Sequence, residues 1–373
     1  MRIGITCYPT YGGSGIVATE LGMELAARGY EVHFISYANP IRLNTESPRI
    51  HYHEVEVSTY PLFQYPPYCL ALASRMAEVA ETQSLDLLHV HYAIPHAISA
   101  LLAKQMLGPR RLPFITTLHG TDITLVGVDR SYLPITRFSI EQSDGVTAIS
   151  HYLKDHTLRV FGIQNEIRVI QNFVNCQLYR HNPNPEARAL YAKPAEKILV
   201  HLSNFRPVKR VLDAVRVAAK VSHEIPCKLL MIGDGPDRGP AEYLARDLGV
   251  EDRVLFLGKQ SRIPELLAIA DLMLLPSEME AFGLAALEAM ACSVPAVATG
   301  IGGIPELITD GVDGLLAPIG DTDAMAAHAV ALLSDTARYA QFAAAARRKA
   351  ETQFSTDLII PQYEQYYREV LAR

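Results

Sequence analysis

Along this chain, short apolar runs alternate with longer stretches whose apolar positions recur at helical spacing. Residues 2–7 predict a buried strand. The loop 8–15 (YPTYGGSG) follows, and then Val17, Leu21 and Leu25, each four apart, predict a helix. Residues 31–36 predict the second strand. Strand, glycine-rich turn, helix, strand is the opening of a doubly wound parallel sheet. The alternation continues with strands at 50–57, 86–91, 114–118, 145–148 and 167–170. Helices are expected at 70–81, 94–106, 133–142 and from Ser150.

Residues 172–194 break the rhythm. They are polar, hold three prolines and read as an interdomain connection. A second alternation then starts, with strands at 197–202, 228–232, 254–256, 271–275 and 296–298 and helices between them. Residues 324–333 and 339–352 are helical, and 358–371 form a last amphipathic helix. The expectation is an α/β protein of two Rossmann-like domains facing a cleft. Residues 1–172 make the first domain, with the C-terminal helix (356–373) packing back on it, and 173–355 make the second.

Composition narrows the partners. A chain of 373 residues is long enough for two cores. A net charge of −6 gives no support for nucleic acid or an anionic membrane as partner. Arg110–Arg111 and the run 347–349 read as solvated faces. Five scattered cysteines, without CxxC or Cys/His spacing, read as reduced buried thiols and not as a metal site. The opening MRIGITCY is a strand and not a signal peptide, and no apolar run reaches about 18 residues. The expectation is a soluble, cytoplasmic protein.

The densest chemistry lies in residues 276–291, PSEMEAFGLAALEAMA. Glu280 and Glu288 stand eight residues apart, and the run from Gly283 predicts a helix after the strand 271–275. Glu280 is thereby expected on a strand-to-helix loop, and Glu288 about a turn and a half inside the helix. Amides of Phe282, Gly283 and Leu284, at the positive end of the helix dipole, point the same way as Glu280. Such a strand end suits an anionic ligand that also carries hydroxyls.

Other strand ends add to it. Glycines 12, 13 and 15 around Ser14 let backbone approach a ligand. GGSGIV lacks GxGxxG spacing, and Ser36-Tyr37 stand where a dinucleotide site would need an acid, which disfavours dehydrogenase chemistry. His91-Tyr92 and His119-Gly120-Thr121-Asp122 follow predicted parallel strands, at the edge where α/β ligands bind. Arg137 is either a helix-surface partner of Glu141 or a fork for a carboxylate. The segment 203–210, SNFRPVKR, sets Arg206, Lys209 and Arg210 after the second domain's first strand, where cations would counter a diphosphate leaving group. Gly233-Asp234-Gly235-Pro236 is an ordinary turn or a loop that admits a nucleotide. The run 302–306, GGIPE, reads as a tight turn.

Together these pieces resemble the retaining family-four glycosyltransferases of the B-type fold, over essentially the whole chain. The most specific element is the glutamate pair itself, Glu280-AFGLAAL-Glu288, with Glu278 just before it. Further segments narrow the likeness: GITCYPTYGGSG, RLN at 42–44, HYAIPHA at 91–97, TTLHGTDIT at 116–124, SNFRPVKRV and IGGIPE. These are similar to a soluble, homo-oligomeric branch of the bacillithiol pathway that transfers N-acetylglucosamine from UDP-N-acetylglucosamine to L-malate. Two departures stand out. Many members have a GR-x4-KG pattern, whereas Arg206 is only three before Lys209 and Arg210 replaces the glycine. Ala281 replaces a common serine.

The resemblance implies roles. Glu288 holds ribose hydroxyls and Glu280 sugar hydroxyls. Gly283 and Leu284 amides, with Arg206, Lys209 or Arg210, bind the diphosphate; Phe282 and Gly233 border that donor site. Gly13 approaches the phosphates, His119 contacts the donor sugar, and the uracil lies near Lys259 and Arg262. Ser14, Tyr92, Thr121 and Arg137 are the acceptor candidates. His119, Arg206, Lys209 and Glu280 carry catalysis, no metal or other cofactor is required, and the protein is a dimer or tetramer. Rival readings are a family member with another acceptor, a UDP-N-acetylglucosamine 2-epimerase, and a non-catalytic two-domain binding protein.

Overall fold

The computed structural model describes residues 1–108 and 112–373; the Arg110–Arg111 run lies outside the described residues. The chain divides into two compact units, Met1–Asn172 with Ile359–Arg373, and Phe173–Leu358.

In the first unit seven parallel strands are ordered β3-β2-β1-β4-β5-β6-β7. They are β1 (Arg2–Thr6), β2 (Glu31–Ser36), β3 (Ile50–Glu54), β4 (Leu87–His91), β5 (Phe114–Leu118), β6 (Gly145–Ala148) and β7 (Ile167–Val169). Every residue of β4, β5 and β6 is buried. That is the mark of a parallel sheet whose crossover helices cover both faces. From Ile359 onward the C-terminal helix, Thr356–Ala372, belongs to this unit. Its Tyr366 hydroxyl accepts from the Val146 amide at 3.0 Å, and its Tyr367 hydroxyl meets His89 Nδ1 at 2.7 Å.

The second unit has six parallel strands in the order β10-β9-β8-β11-β12-β13. They are β8 (Lys197–Leu202), β9 (Cys227–Ile232), β10 (Val254–Gly258), β11 (Leu272–Leu275), β12 (Ala296–Thr299) and β13 (Gly314–Ala317). Strand order reverses between β1 and β4 in one sheet and between β8 and β11 in the other. In open α/β sheets, ligands bind beyond the strand C-termini at such a reversal.

Three local expectations are corrected. The helix expected over 94–106 begins only at Ile98, because Ile94 is extended (φ −129°, ψ 137°). Pro95 disfavours the helical region for the residue before it. Strand β13 was not anticipated: Gly314–Ala317 is a four-residue run between glycine turns, too short for periodicity to report. The connection 172–194 is fastened to the second unit, with Phe173, Val174 and Tyr179 buried and a short helix, Pro185–Ala189, capped by Asn184. The five cysteines are free; burial pushes the Cys7 and Cys292 thiols up to about 12.

Candidate active site

At the reversal in the first sheet, β1 leads to the helix Gly13–Ala27. Its N-cap, Gly12, is extended and brings no side chain to the first amides. Ser150, Asn184, Asp321 and Asp335 cap their own helices with side-chain oxygens. Here the amides next to Gly13 and Ser14 are left to donate to an anion from outside.

Strand β4 ends at His91, and Tyr92 follows with φ +93°. A bulky side chain at such a φ costs about 1–3 kcal/mol, and strain of this kind collects at ligand sites. The Tyr92 amide is anchored on the Thr117 carbonyl at 3.0 Å. Strand β5 delivers His119, whose Nε2 lies 2.8 Å from His91 Nδ1. The His119 ring stacks on His91 (5.0 Å) and on Tyr92 (5.7 Å). Buried Asp122 holds the turn by accepting from the amides of Ala93 (3.0 Å), His119 (3.2 Å) and Gly120 (3.0 Å). Burial raises its carboxyl to about 6, against the lowering effect of those amides. Burial also lowers His119 to about 3 and His91 well below its ordinary value, so both rings are neutral near pH 7.

Tyr92 and His119 are thus brought into contact, with Thr121 two residues on, opening the short helix Thr121–Thr124. Of the two readings of Arg137, the structure realises the surface pair. Its Nε is 2.9 Å from Glu141 Oε1, and its side chain is 49% exposed.

The second reversal is built from charges. His201 Nδ1 donates to the Leu274 carbonyl at 3.0 Å, which leaves Nε2 to accept from the Ser203 hydroxyl at 2.8 Å. Ser203 in turn accepts the Phe205 amide at 3.2 Å, and so the SNFRPVKR loop is fixed at its root. Lys209 Nζ lies 2.5 Å from Glu280 Oε1, with side-chain exposures of only 21% and 12%. The Ser277 hydroxyl donates to the same carboxylate oxygen at 3.0 Å. Arg210, with left-handed backbone (φ 49°), pairs with Asp213 at 2.6 Å and Glu278 at 3.4 Å. Arg206 is exposed, and no described residue pairs with its guanidinium.

Gly283 is the N-cap of the helix Leu284–Ala291, at φ +97°. A Cβ there would lie 2.5 Å from Ile304 Cδ1, so only glycine turns the chain at this point. The Phe282 side chain is buried edge-on to Phe354, which leaves its backbone for a ligand. Glu288 is 3% exposed and accepts from the Tyr179 hydroxyl at 2.7 Å. Gly233 is explained by packing: at φ +124°, a Cβ would sit 1.8 Å from the Ser203 carbonyl. Lys259 and Arg262 are exposed, at the end of β10 and the start of the helix Ile263–Ala268.

Two residues escaped the sequence reading. Tyr179 sits in a polar connection with no periodicity to mark it. Gly303, in what reads as a plain turn, donates its amide to the Glu280 carbonyl at 2.9 Å and so steadies that loop.

Neutral rings thus stand at the reversal of the first unit's sheet, and paired carboxylates and cations at the reversal of the second unit's sheet. Comparison with known proteins names the protein's class. "Glycosyltransferase Family 4" matches residues 11–178, and "Glycosyl transferases group 1" matches 184–349. The N-acetyl-alpha-D-glucosaminyl L-malate synthase of Bacillus anthracis is 52% identical over 372 residues, covering 100% of this chain and 97% of its own. A D-inositol 3-phosphate glycosyltransferase of Mycobacterium marinum is 28% identical, over 91% of this chain and 77% of its own. Among solved structures, sucrose-phosphate synthase from Thermosynechococcus elongatus superposes with a TM-score of 0.81 at 24% identity, covering 100% of this chain and 99% of its own. Anabaena HepE, in complex with UDP and glucose, gives 0.82 at 20% identity, over 98% and 99%. The chain therefore belongs to the family-four glycosyltransferases, and its fold is the two-domain B-type fold.

Proposed function

We propose that this transferase moves N-acetylglucosamine from UDP-N-acetylglucosamine to the hydroxyl of L-malate with retention at the anomeric carbon, the first step of bacillithiol biosynthesis. The observation that carries the reading is the 52% identity along the whole chain to the L-malate synthase of Bacillus anthracis.

On this reading Glu288 takes the ribose hydroxyls and Glu280 the sugar hydroxyls. Arg206 and Lys209, with the Gly283 and Leu284 amides, hold the diphosphate; Gly13 and the amides beside it serve the same group. Arg210, committed to Asp213 and Glu278, acts on the phosphates only through exchange of a partner. The uracil lies against the backbone near Lys259 and Arg262. His119 contacts the donor sugar, while Ser14, Tyr92 and Thr121 surround the acceptor. Arg137 binds a malate carboxylate by exchanging Glu141 for it, a swap of like for like.

Retention without a side-chain nucleophile follows a front-face course. The glycosidic bond loosens, the cations stabilise the departing diphosphate, and a phosphate oxygen takes the malate hydroxyl proton. Catalysis is then positioning and electrostatics, with no metal required. The enzyme works in the cytoplasm as a homo-oligomer.

The test is UDP release from UDP-N-acetylglucosamine with L-malate, D-malate, succinate or no acceptor. Release dependent on L-malate, with one new α-linked product by NMR, is the expected outcome. Turnover without acceptor would point to an epimerase or hydrolase and overturn the reading.

A further inference from the structure

The neutral imidazole of His119 offers a ligand either an N–H or a lone pair, and its neighbours choose between the two. His119 Nε2 and His91 Nδ1 are 2.8 Å apart, so one of them carries the proton between them. His91 is fully buried, and its Nε2 has no hydrogen-bond partner among the described residues. His119 keeps 8% exposure, and its Nδ1 is not among the enclosed polar atoms that lack a partner.

Suppose His119 Nε2 carried the proton. His91 Nδ1 would then accept it, and the neutral His91 ring would keep its own proton on Nε2. That would be an enclosed donor with nothing to receive it, the rarer kind of orphan in folded proteins. The opposite arrangement leaves only a lone pair at that position. His96, five residues on, already shows this pattern. Its Nδ1 lies 2.5 Å from the His91 carbonyl, which can only accept, so the proton is on Nδ1 and the enclosed, unpartnered Nε2 is bare.

We propose that His91 is a positioning residue: by donating from Nδ1 to His119 Nε2, it fixes His119 as the Nδ1–H tautomer, which presents a donor to the ligand. A donor suits a sugar hydroxyl or carbonyl oxygen, or an oxygen gaining negative charge as the bond to the leaving group breaks. It cannot take the acceptor's proton, and that step is left to the leaving diphosphate. The assignment rests on the sugar-transfer reading for what His119 touches, but not for where its proton sits.

Two measurements test it. In native enzyme labelled with 15N-histidine, long-range 1H–15N correlation reads which His119 nitrogen is protonated, with the resonances identified by their loss in His119→Asn. Nδ1–H is expected, and a proton on Nε2 overturns the proposal even if L-malate proves to be the acceptor. His91→Asn keeps a donor at the Nδ1 position, whereas His91→Leu removes it. Under L-malate-dependent turnover, His91→Asn should hold kcat within about 3-fold, and His91→Leu should lose about 10²-fold in kcat with the donor KM little changed. Equal losses in the two variants, or none in either, overturn it. If His91→Leu does not fold, the native-state tautomer decides alone.

Discussion

Where β1 meets β4, the rings that face one another are neutral imidazoles and a phenol, with one buried carboxyl, Asp122, holding the turn beneath them. Where β8 meets β11, they are ions in partly buried pairs, Lys209 with Glu280 and Arg210 with Asp213 and Glu278. On the proposed function, the difference matches two tasks. Orienting a hydroxylated substrate needs directional groups with fixed protons, whereas stabilising a diphosphate that gains charge needs cations held ready. The neutral half is thus vulnerable to protonation, and the ionic half to loss of a charge.

Removing a charge should do the most damage. Lys209→Ala is expected to lower kcat/KM for UDP-N-acetylglucosamine by about 10²–10³-fold, since it deletes the proposed phosphate cation and leaves Glu280 without its cation. A loss below about 3-fold would break the contrast between the halves.

Acid should attack the other side. Histidine in an unfolded chain titrates near 6.5, yet burial holds His33 and His96 at about 4 and His89 and His119 at about 3 in the first unit. Between those values the unfolded chain binds more protons. The stability these rings confer is present above pH ~6.5 and is lost as pH falls toward 4 and below. Asp122 opposes this: its folded value of about 6 lies above the ordinary 3.8, so its contribution grows as pH falls between them. Four rings outweigh one carboxyl. In the second unit, His201 is the corresponding ring, held at about 4. Hydrogen-exchange protection should therefore drop at least about 10-fold more in β4 and β5 than in β8 and β11 between pH 7.5 and pH 5. Equal loss in both sheets would show that the buried imidazoles do not set the acid limit.

Tyr179→Phe removes one hydrogen bond to the buried Glu288 carboxylate and should raise the UDP-N-acetylglucosamine KM about 10-fold at nearly constant kcat. An unchanged KM would make Tyr179 a packing residue. The smallest effect belongs to Arg137→Ala, which should raise the L-malate KM by about 3–10-fold and leave the donor KM alone. Equal shifts would confine Arg137 to its surface pair with Glu141.

The architecture was legible because both sheets are parallel and buried on both faces, which writes each strand as an apolar run followed by polar residues. The same logic places Glu280, His119 and Lys209 on the loops that follow strand ends. The pairings were not legible. Lys209 and Glu280 are 71 residues apart, and Tyr179 and Glu288 are 109 apart, and no local pattern encodes a contact across three crossovers. Arg137 and Glu141, one helical turn apart, were predictable as a pair for the opposite reason.

The first unit's core includes residues from the far end of the chain, with Tyr366 against β6 and Tyr367 against His89. On the ribosome this reverses the usual order of completion. Residues 173–358 can close their sheet as soon as they emerge, whereas the strands made first wait, with one helix missing, until residues 359–372 emerge. The half of the enzyme that is translated first is the half that finishes folding last.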